Sequence, residues 1–368
     1  MKTLRLRLDS ARLTLEQIIR EPALQQAAAI LRGGGLVAFP TETVYGLGAN
    51  ALQAAAVEKI FLAKQRPHWD PVIVHIADAV AARALTTEWP KTAERLAQAF
   101  WPGPLTMLLP RSSAIPGLCT AGRAKVGLRV PAHLVARALI QAAGVPVAAP
   151  SANRFGHASP TAADHVLADL EGRIDAVLDA GGCAIGVEST VLDPTSDPAI
   201  VYRPGGVTIE QLRAVLREFE MEVILAEHTL YDDAAQRSPA AGPMPGEATP
   251  GESAPSLGLA SPGLGIRHYA PRARVVLVEG VEELRQAVQS ESLRHRVGVL
   301  LPAEWAEPET AAAVLRWASW SEPEALAREL YSRMRALDDA GVEVIVCPLP
   351  NAEGLGLALR DRLRKAAK

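Results

Sequence analysis

Apolar residues along this chain fall into two rhythms. Short bursts at Leu36–Phe39, Val72–Ile76, Leu105–Leu109, Val126–Val130, Val145–Ala149, Ala176–Leu178, Ser189–Leu192 and Ile200–Tyr202 have the length and residue types of strands. Between them, apolar positions at helical spacing predict helices over Pro22–Arg32, Ala51–Ala63, Ala79–Leu85, Lys91–Phe100, Leu134–Ala143, Ala162–Leu170 and Ile209–Phe219. The first of these opens on a proline and stops at Gly33-Gly-Gly35, the usual asymmetry of helix ends. The N-terminal Met1–Asp9 alternates polar and apolar residues like a strand. Strands mixed with helices in this way predict a twisted mixed α/β sheet over roughly residues 1–225.

The rhythm then stops. Ser238–Gly265 is dominated by Pro, Gly, Ala and Ser and has no periodicity, so 226–272 reads as a linker. Periodicity resumes over 273–368, with strands expected at Val275–Val278, Val297–Leu301 and Val342–Val346. Helices are expected at Glu282–Gln289, Glu309–Trp317, Pro323–Leu337 and Leu355–Ala367. This is a second, smaller α/β domain, Rossmann-like in pattern, with three or more parallel strands.

The candidate chemistry sits where strands end. Val37–Phe39 runs into Pro40, Thr41, Glu42 and Thr43, with Gly46 and Gly48 close behind to let backbone approach a ligand. Lys64 and Arg66 stand at a helix end, where a compact cation and a planar fork can grip polyphosphate or simply meet the helix dipole. Ser151 and Asn153 follow the strand Val145–Ala149 and can orient phosphate oxygens or cap a turn. His75 and Arg129 lie inside apolar strands. A guanidinium there needs an anionic partner, either a ligand carboxylate or a structural Asp or Glu. Glu188-Ser-Thr-Val191 and Arg203-Pro-Gly-Gly206 repeat the pattern, which suggests one polar cleft built from several strand ends.

Composition narrows the function classes. The 368 residues carry a formal net charge of −3, which argues against a protein that coats nucleic acid by bulk charge. Three widely spaced cysteines without a CxxC suggest neither a disulfide framework nor a zinc site. No GxxxxGK[ST], HExxH or dinucleotide fingerprint occurs. With no signal peptide and no long apolar run, a cytoplasmic location without membrane contact is expected.

Taken in order, Phe39-Pro-Thr-Glu-Thr-Val-Tyr-Gly-Leu-Gly48, Lys64-Gln-Arg66, Trp101-Pro-Gly-Pro-Leu-Thr106, Ala149-Pro-Ser-Ala-Asn153, Gly186-Val-Glu-Ser-Thr190 and Arg203-Pro-Gly205 resemble the Sua5/YrdC/YciO family. Arg267-His-Tyr-Ala-Pro271 and Arg362-Leu-Arg-Lys-Ala-Ala367 extend the likeness to its two-domain Sua5 type, with a YrdC-like first domain and a Sua5 C-terminal domain. The resemblance implies a nucleotidyltransferase that makes L-threonylcarbamoyladenylate and pyrophosphate from L-threonine, bicarbonate and ATP. Downstream transfer proteins would then pass the threonylcarbamoyl group to adenosine 37 of tRNA, giving t6A. By the same likeness Lys64 and Arg66 hold the triphosphate and act in catalysis. Thr120, Ser151, Asn153, Arg203 and Tyr269 join them in binding ATP, while Thr41, His75, Arg129 and Ser189 bind threonine. Mg2+ comes with ATP rather than in a protein cage, and the linker lies over the site as a lid. Single-domain relatives are associated with RNA, so weak tRNA contact is a further expectation, and a purely RNA-binding module is the rival reading. A carbamoyl-adenylate enzyme of hydrogenase maturation is a second rival, but the acylphosphatase-like and zinc-finger segments of that class are absent.

Overall fold

The computed structural model describes residues 2–226, 259, 261 and 268–368; most of the Pro/Gly-rich linker expected from the sequence, and Arg267, lie outside them. The first part of the chain forms one mixed sheet of eleven strands. Across the sheet these are Leu4–Arg7, Ala176–Asp179, Val37–Phe39, Gly46–Asn50, Val147–Ala148, Val74–His75, Lys125–Arg129, Leu105–Pro110, Thr190–Asp193, Ala199–Arg203 and Val223–Leu225. Parallel and antiparallel pairs alternate irregularly. Leu105–Pro110, for example, runs antiparallel to Lys125–Arg129 and parallel to Thr190–Asp193. The second part is a parallel sheet of four strands, Arg274–Val278, Val344–Pro348, Val297–Leu301 and Ala313–Arg316, flanked by three helices.

Most expected elements are found within a residue or two, and the mixed α/β domain followed by a smaller parallel one is the fold observed. Two readings need correction. The helix expected over Glu309–Trp317 is instead the edge strand Ala313–Arg316, registered against Gly298–Leu301, because a neighbouring strand supplies a ladder that outweighs local propensity. The stretch after Tyr45, expected to let backbone approach a ligand at Gly46 and Gly48, is the buried strand Gly46–Asn50, with Gly46 opposite Phe39. A side chain at Gly48 would meet the Phe39 ring and Val147 at 2.8 Å, so that glycine admits packing rather than a ligand. A short helix, Leu15–Arg20, adds to the expected set, with Thr14 and Gln17 forming a complete capping box at its start.

Helices cover both faces of the large sheet. One core gathers the Ala54–Lys64 and Lys91–Phe100 helices against the sheet; another gathers Pro22–Arg32 and Leu134–Ala143 on the opposite face. A third core crosses between the two domains. Val44, Ala158 and Val187 of the first domain pack with Tyr269 and with Leu326, Leu330, Tyr331, Met334, Leu359 and Leu363 of the second. The two sheets are therefore joined by shared apolar packing beside the strand ends that carry the polar clusters.

Candidate active site

The turn between Phe39 and Gly46 is buried throughout, so its polar groups must find partners inside the protein. Thr41 Oγ1 donates to Val44 O at 2.7 Å, lies 2.8 Å from Thr43 Oγ1 and accepts from the backbone N–H of Thr43 and Val44. This fixes the turn. It also points Glu42 and Thr43 at the end of the Lys125–Arg129 strand. There the Arg129 guanidinium donates to Glu42 Oε1 at 2.6 Å, to Thr43 Oγ1 at 3.0 Å and to Gly103 O at 3.2 Å. Of the two partners the sequence left open for Arg129, the structure supplies a protein carboxylate, Glu42. Burial pushes the Glu42 pKa up, but the Arg129 charge and hydrogen bond outweigh it and hold the carboxyl below its ordinary range.

His75 pairs with Arg129 across the parallel ladder. Burial, then the Arg129 charge, press its pKa down to about 3, so the imidazole is neutral at physiological pH. Its Nδ1 is buried and has no hydrogen-bond partner among the described residues. Ser189, just before the Thr190–Asp193 strand, lies with its Oγ 2.8 Å from Thr106 Oγ1. Arg203, ending the antiparallel neighbour strand, donates to both Ser189 O and Ser189 Oγ. Gly205 makes that approach possible: a Cβ there would sit 2.3 Å from Glu188 O.

A second cationic group comes from the end of the Ala54–Lys64 helix, which stops as Gln65 turns left-handed at φ 56°. Arg66 is swung back under the next turn, where it donates to Asp70 O and Pro71 O and pairs with the Asp70 carboxylate at 3.0 Å. Lys64 is fully buried, and its ammonium donates to the carbonyls of Ser151 and Asn153. Burial, then the Arg66 charge, lower its pKa well below the ordinary lysine value. Asn153 Nδ2 donates to Arg154 O and His157 O, and its Oδ1 lacks a hydrogen-bond partner among the described residues.

Thr41, Thr43, Gly46, Arg66, His75, Arg129, Ser151, Glu188, Ser189, Arg203, His268 and Tyr269 line one cleft. Eight of the eleven residues singled out from the sequence are thus brought together. The other three stand apart. Lys64 and Asn153 lie behind the Ser151 loop rather than on the lining. Thr120 caps a one-turn 3-10 helix, its hydroxyl donating to Gly117 O and Arg123 O. The polar and glycine lining residues outside that set include Glu42's neighbour Thr43, Gly46, Glu188 and His268. Each lies inside a motif already noted, so adjacency was the available signal. The free cavity is only about 60 Å³ in this conformation, far below the ~300 Å³ or more of sites that hold small ligands.

One side of the cleft is lined by His268 and Tyr269, from the segment that leads into the second domain. Residues Tyr269 and Ala270 lead into it, with Ala270 N donating to Gly156 O at 2.9 Å and Ala158 N donating to Ala270 O at 3.1 Å. Glu188, on the cleft wall, accepts from Ser159 Oγ at 2.5 Å, from the Tyr331 hydroxyl at 3.0 Å and from Arg362 Nε at 2.7 Å. Among the described residues no group of three or more His, Cys, Asp or Glu is placed to hold a metal ion, and no helix is long and apolar enough to cross a membrane.

Two family models divide the chain: one described as "Telomere recombination" matches residues 29–205, and one described as "Threonylcarbamoyl-AMP synthase, C-terminal domain" matches 207–368. A threonylcarbamoyl-AMP synthase of Bacillus subtilis is 41% identical over 370 residues, covering 100% of this chain and 98% of the relative. The chain belongs to the Sua5/YrdC/YciO family. Another family member, a threonylcarbamoyl-AMP synthase of Pyrococcus abyssi, is 39% identical over 96% of this chain and 97% of its own. The crystal structure of P. abyssi Sua5 complexed with L-threonine superposes with a TM-score of 0.82 at 37% identity, covering 100% of this chain and 98% of that one. The family likeness therefore spans both domains and their arrangement, and the synthase activity its curated members are named for is the activity this chain shares.

Proposed function

We propose that the cleft binds L-threonine beside ATP and joins them, through bicarbonate, into threonylcarbamoyl-AMP. The observation that carries this reading is the convergence of three guanidinium groups, Arg66, Arg129 and Arg203, with the hydroxyls of Thr41, Thr43 and Ser189 on one set of strand ends. Such a wall suits a small amino acid at one end and a run of phosphates at the other.

In this reading Arg129, with Thr41, Ser189 and neutral His75, receives threonine, and Arg129 meets its carboxylate. Glu42 keeps the Arg129 fork in plane while leaving donors for that contact. The threonine amine takes up bicarbonate with loss of water to give a carbamate. A carbamate oxygen then attacks the α-phosphorus of ATP, forming the new P–O bond as the bond to the β-phosphate oxygen breaks and pyrophosphate leaves. Little covalent chemistry falls to the protein; its work is placement and charge neutralisation. Arg66 and Arg203 face the phosphates, while Lys64 holds the Ser151 and Asn153 carbonyls so that this loop presents Ser151 to the nucleotide. Mg2+ would arrive with ATP and offset phosphate charge, since among the described residues no group of three or more His, Cys, Asp or Glu is placed to hold it. The narrow cavity requires the His268–Tyr269 segment to lift for entry and settle over the product, shielding a labile mixed anhydride from water. Transfer proteins that carry the threonylcarbamoyl group to tRNA, and any direct tRNA contact, belong to the same proposal.

The test is pyrophosphate release by purified protein with ATP, L-threonine and bicarbonate, each omitted in turn. Release should need all three. Threonine-independent hydrolysis, or no release under any condition, would overturn the assignment.

A further inference from the structure

The second domain holds the cleft wall through two side chains, Arg362 and Tyr331. Arg362, on the terminal helix Leu355–Ala366, is the largest fully buried side chain of the described residues. Its Nε donates to Glu188 Oε2 at 2.7 Å and its Nη1 to Asp361 Oδ2 at 2.6 Å, and its guanidinium lies 5.0 Å from the centre of the Tyr269 ring. Tyr331 adds a second tie from the same domain: its hydroxyl donates to Glu188, and its ring lies 6.0 Å from that of Tyr269. Glu188 and Tyr269 both line the cleft; Arg362 and Tyr331 do not.

This arrangement offsets a cost. Tyr269 has φ 63°, a left-handed backbone that a side-chain-bearing residue adopts only when its surroundings impose it. The next residue, Ala270, is held by two backbone bonds to Gly156 and Ala158. The imposed contacts are the cation over one part of the ring and the Tyr331 ring beside it. A buried guanidinium is itself stable only with carboxylates, and Glu188 and Asp361 supply them from opposite domains.

We propose that Arg362 is a positioning residue for the reaction: it anchors Glu188 and clamps Tyr269 in its strained pose, so that the wall of the cleft is completed from the second domain. The proposal rests on the synthase reading for its kinetic consequence but not for its structural one. Arg362 does not itself line the cleft; it acts through Glu188 and Tyr269.

Two measurements on the full chain test it. In Arg362→Met, amide exchange at Ala270 and Ala158 should quicken about tenfold, while the Lys125–Arg129 strand keeps its protection. Unchanged protection at Ala270 overturns the proposal whether or not the protein makes threonylcarbamoyl-AMP. So does a uniform rise across both domains, which would mark a merely structural role. In pyrophosphate release, Arg362→Met and Tyr269→Ala should each lower kcat by about a hundredfold, with the KM for threonine moving less than twofold. The double variant should be no slower than the slower single, because both changes remove one interaction. Losses that multiply, or a parallel rise in the threonine KM, would overturn it. Arg362→Lys, which keeps the charge and loses the fork, should fall between wild type and Arg362→Met. If wild type releases no pyrophosphate, the synthase reading has failed and the exchange result alone decides this one.

Discussion

Replacing Arg129 by methionine isolates the electrostatic centre of the threonine end of the cleft. The Arg129 and Glu42 side chains are 4% and 9% exposed, and their contact is 2.6 Å. With the guanidinium gone, Glu42 keeps backbone contacts such as the 3.4 Å one from His133 N, but a buried carboxylate is left without its cation. Breaking such a pair from one side costs about 3–5 kcal/mol. That is a large share of the ~5–15 kcal/mol that holds a typical domain folded. Adding Glu42→Gln removes the orphaned charge and leaves mainly unmet hydrogen bonds at Thr43 and Gly103, worth about 1–3 kcal/mol. The double variant should therefore be more stable than Arg129→Met by about 2 kcal/mol, although it carries one more substitution. Urea unfolding followed by far-ultraviolet circular dichroism measures all three proteins. A loss below about 1 kcal/mol in Arg129→Met, or a double variant less stable than the single, would refute this account of the buried pair. Neither variant should bind threonine.

Other predictions follow from the same geometry. Lys64→Met should abolish pyrophosphate release with a modest change in unfolding midpoint, because its ammonium orders the Ser151–Asn153 carbonyls; retention of more than about a tenth of wild-type kcat would contradict that role. His75 has a folded pKa of about 3 against an ordinary 6.5, so between those values the unfolded chain binds a proton that the folded chain refuses. Its contribution to stability is complete above the ordinary value and declines as pH falls, by up to about 1.4 kcal/mol per pH unit. His75→Asn should show a shallower acid slope than wild type in the same titration. Gly205→Ala drives a methyl to within 2.3 Å of Glu188 O, and it should lower stability by about 3 kcal/mol and displace Arg203 from Ser189, seen as loss of activity in whatever protein remains folded.

The sequence made the strands and their polar ends readable because both signals are local. A burst of β-branched residues followed by Pro and a hydroxyl or acidic side chain says where a strand stops, and strand ends are where this site lies. What stayed hidden is non-local. Nothing near Ala313–Arg316 shows that Gly298–Leu301 waits alongside, so its helical spacing misled. Arg129 could be seen to need an anion, but the choice of Glu42 depends on a turn folding back across 87 residues. The cation at Lys64 was legible as functional chemistry, yet its burial behind the Ser151 loop follows from packing of the Ala54–Lys64 helix that periodicity cannot express. The same holds for Glu188, visible as a polar strand border and silent about its partner 174 residues away.

The core that joins the two domains also changes what a distance along this chain means. Val44 sits one residue from the Thr41–Thr43 cluster yet packs among the side chains of the last helix. A scan of random substitutions plotted against residue number would thus show a late band of sensitivity around Leu359–Leu363, looking like a separate functional region. It would be the packing that backs the wall of the same cleft. A stop codon placed before Arg362 removes only seven residues and still takes away the support of Glu188 and Tyr269 at the centre of the molecule.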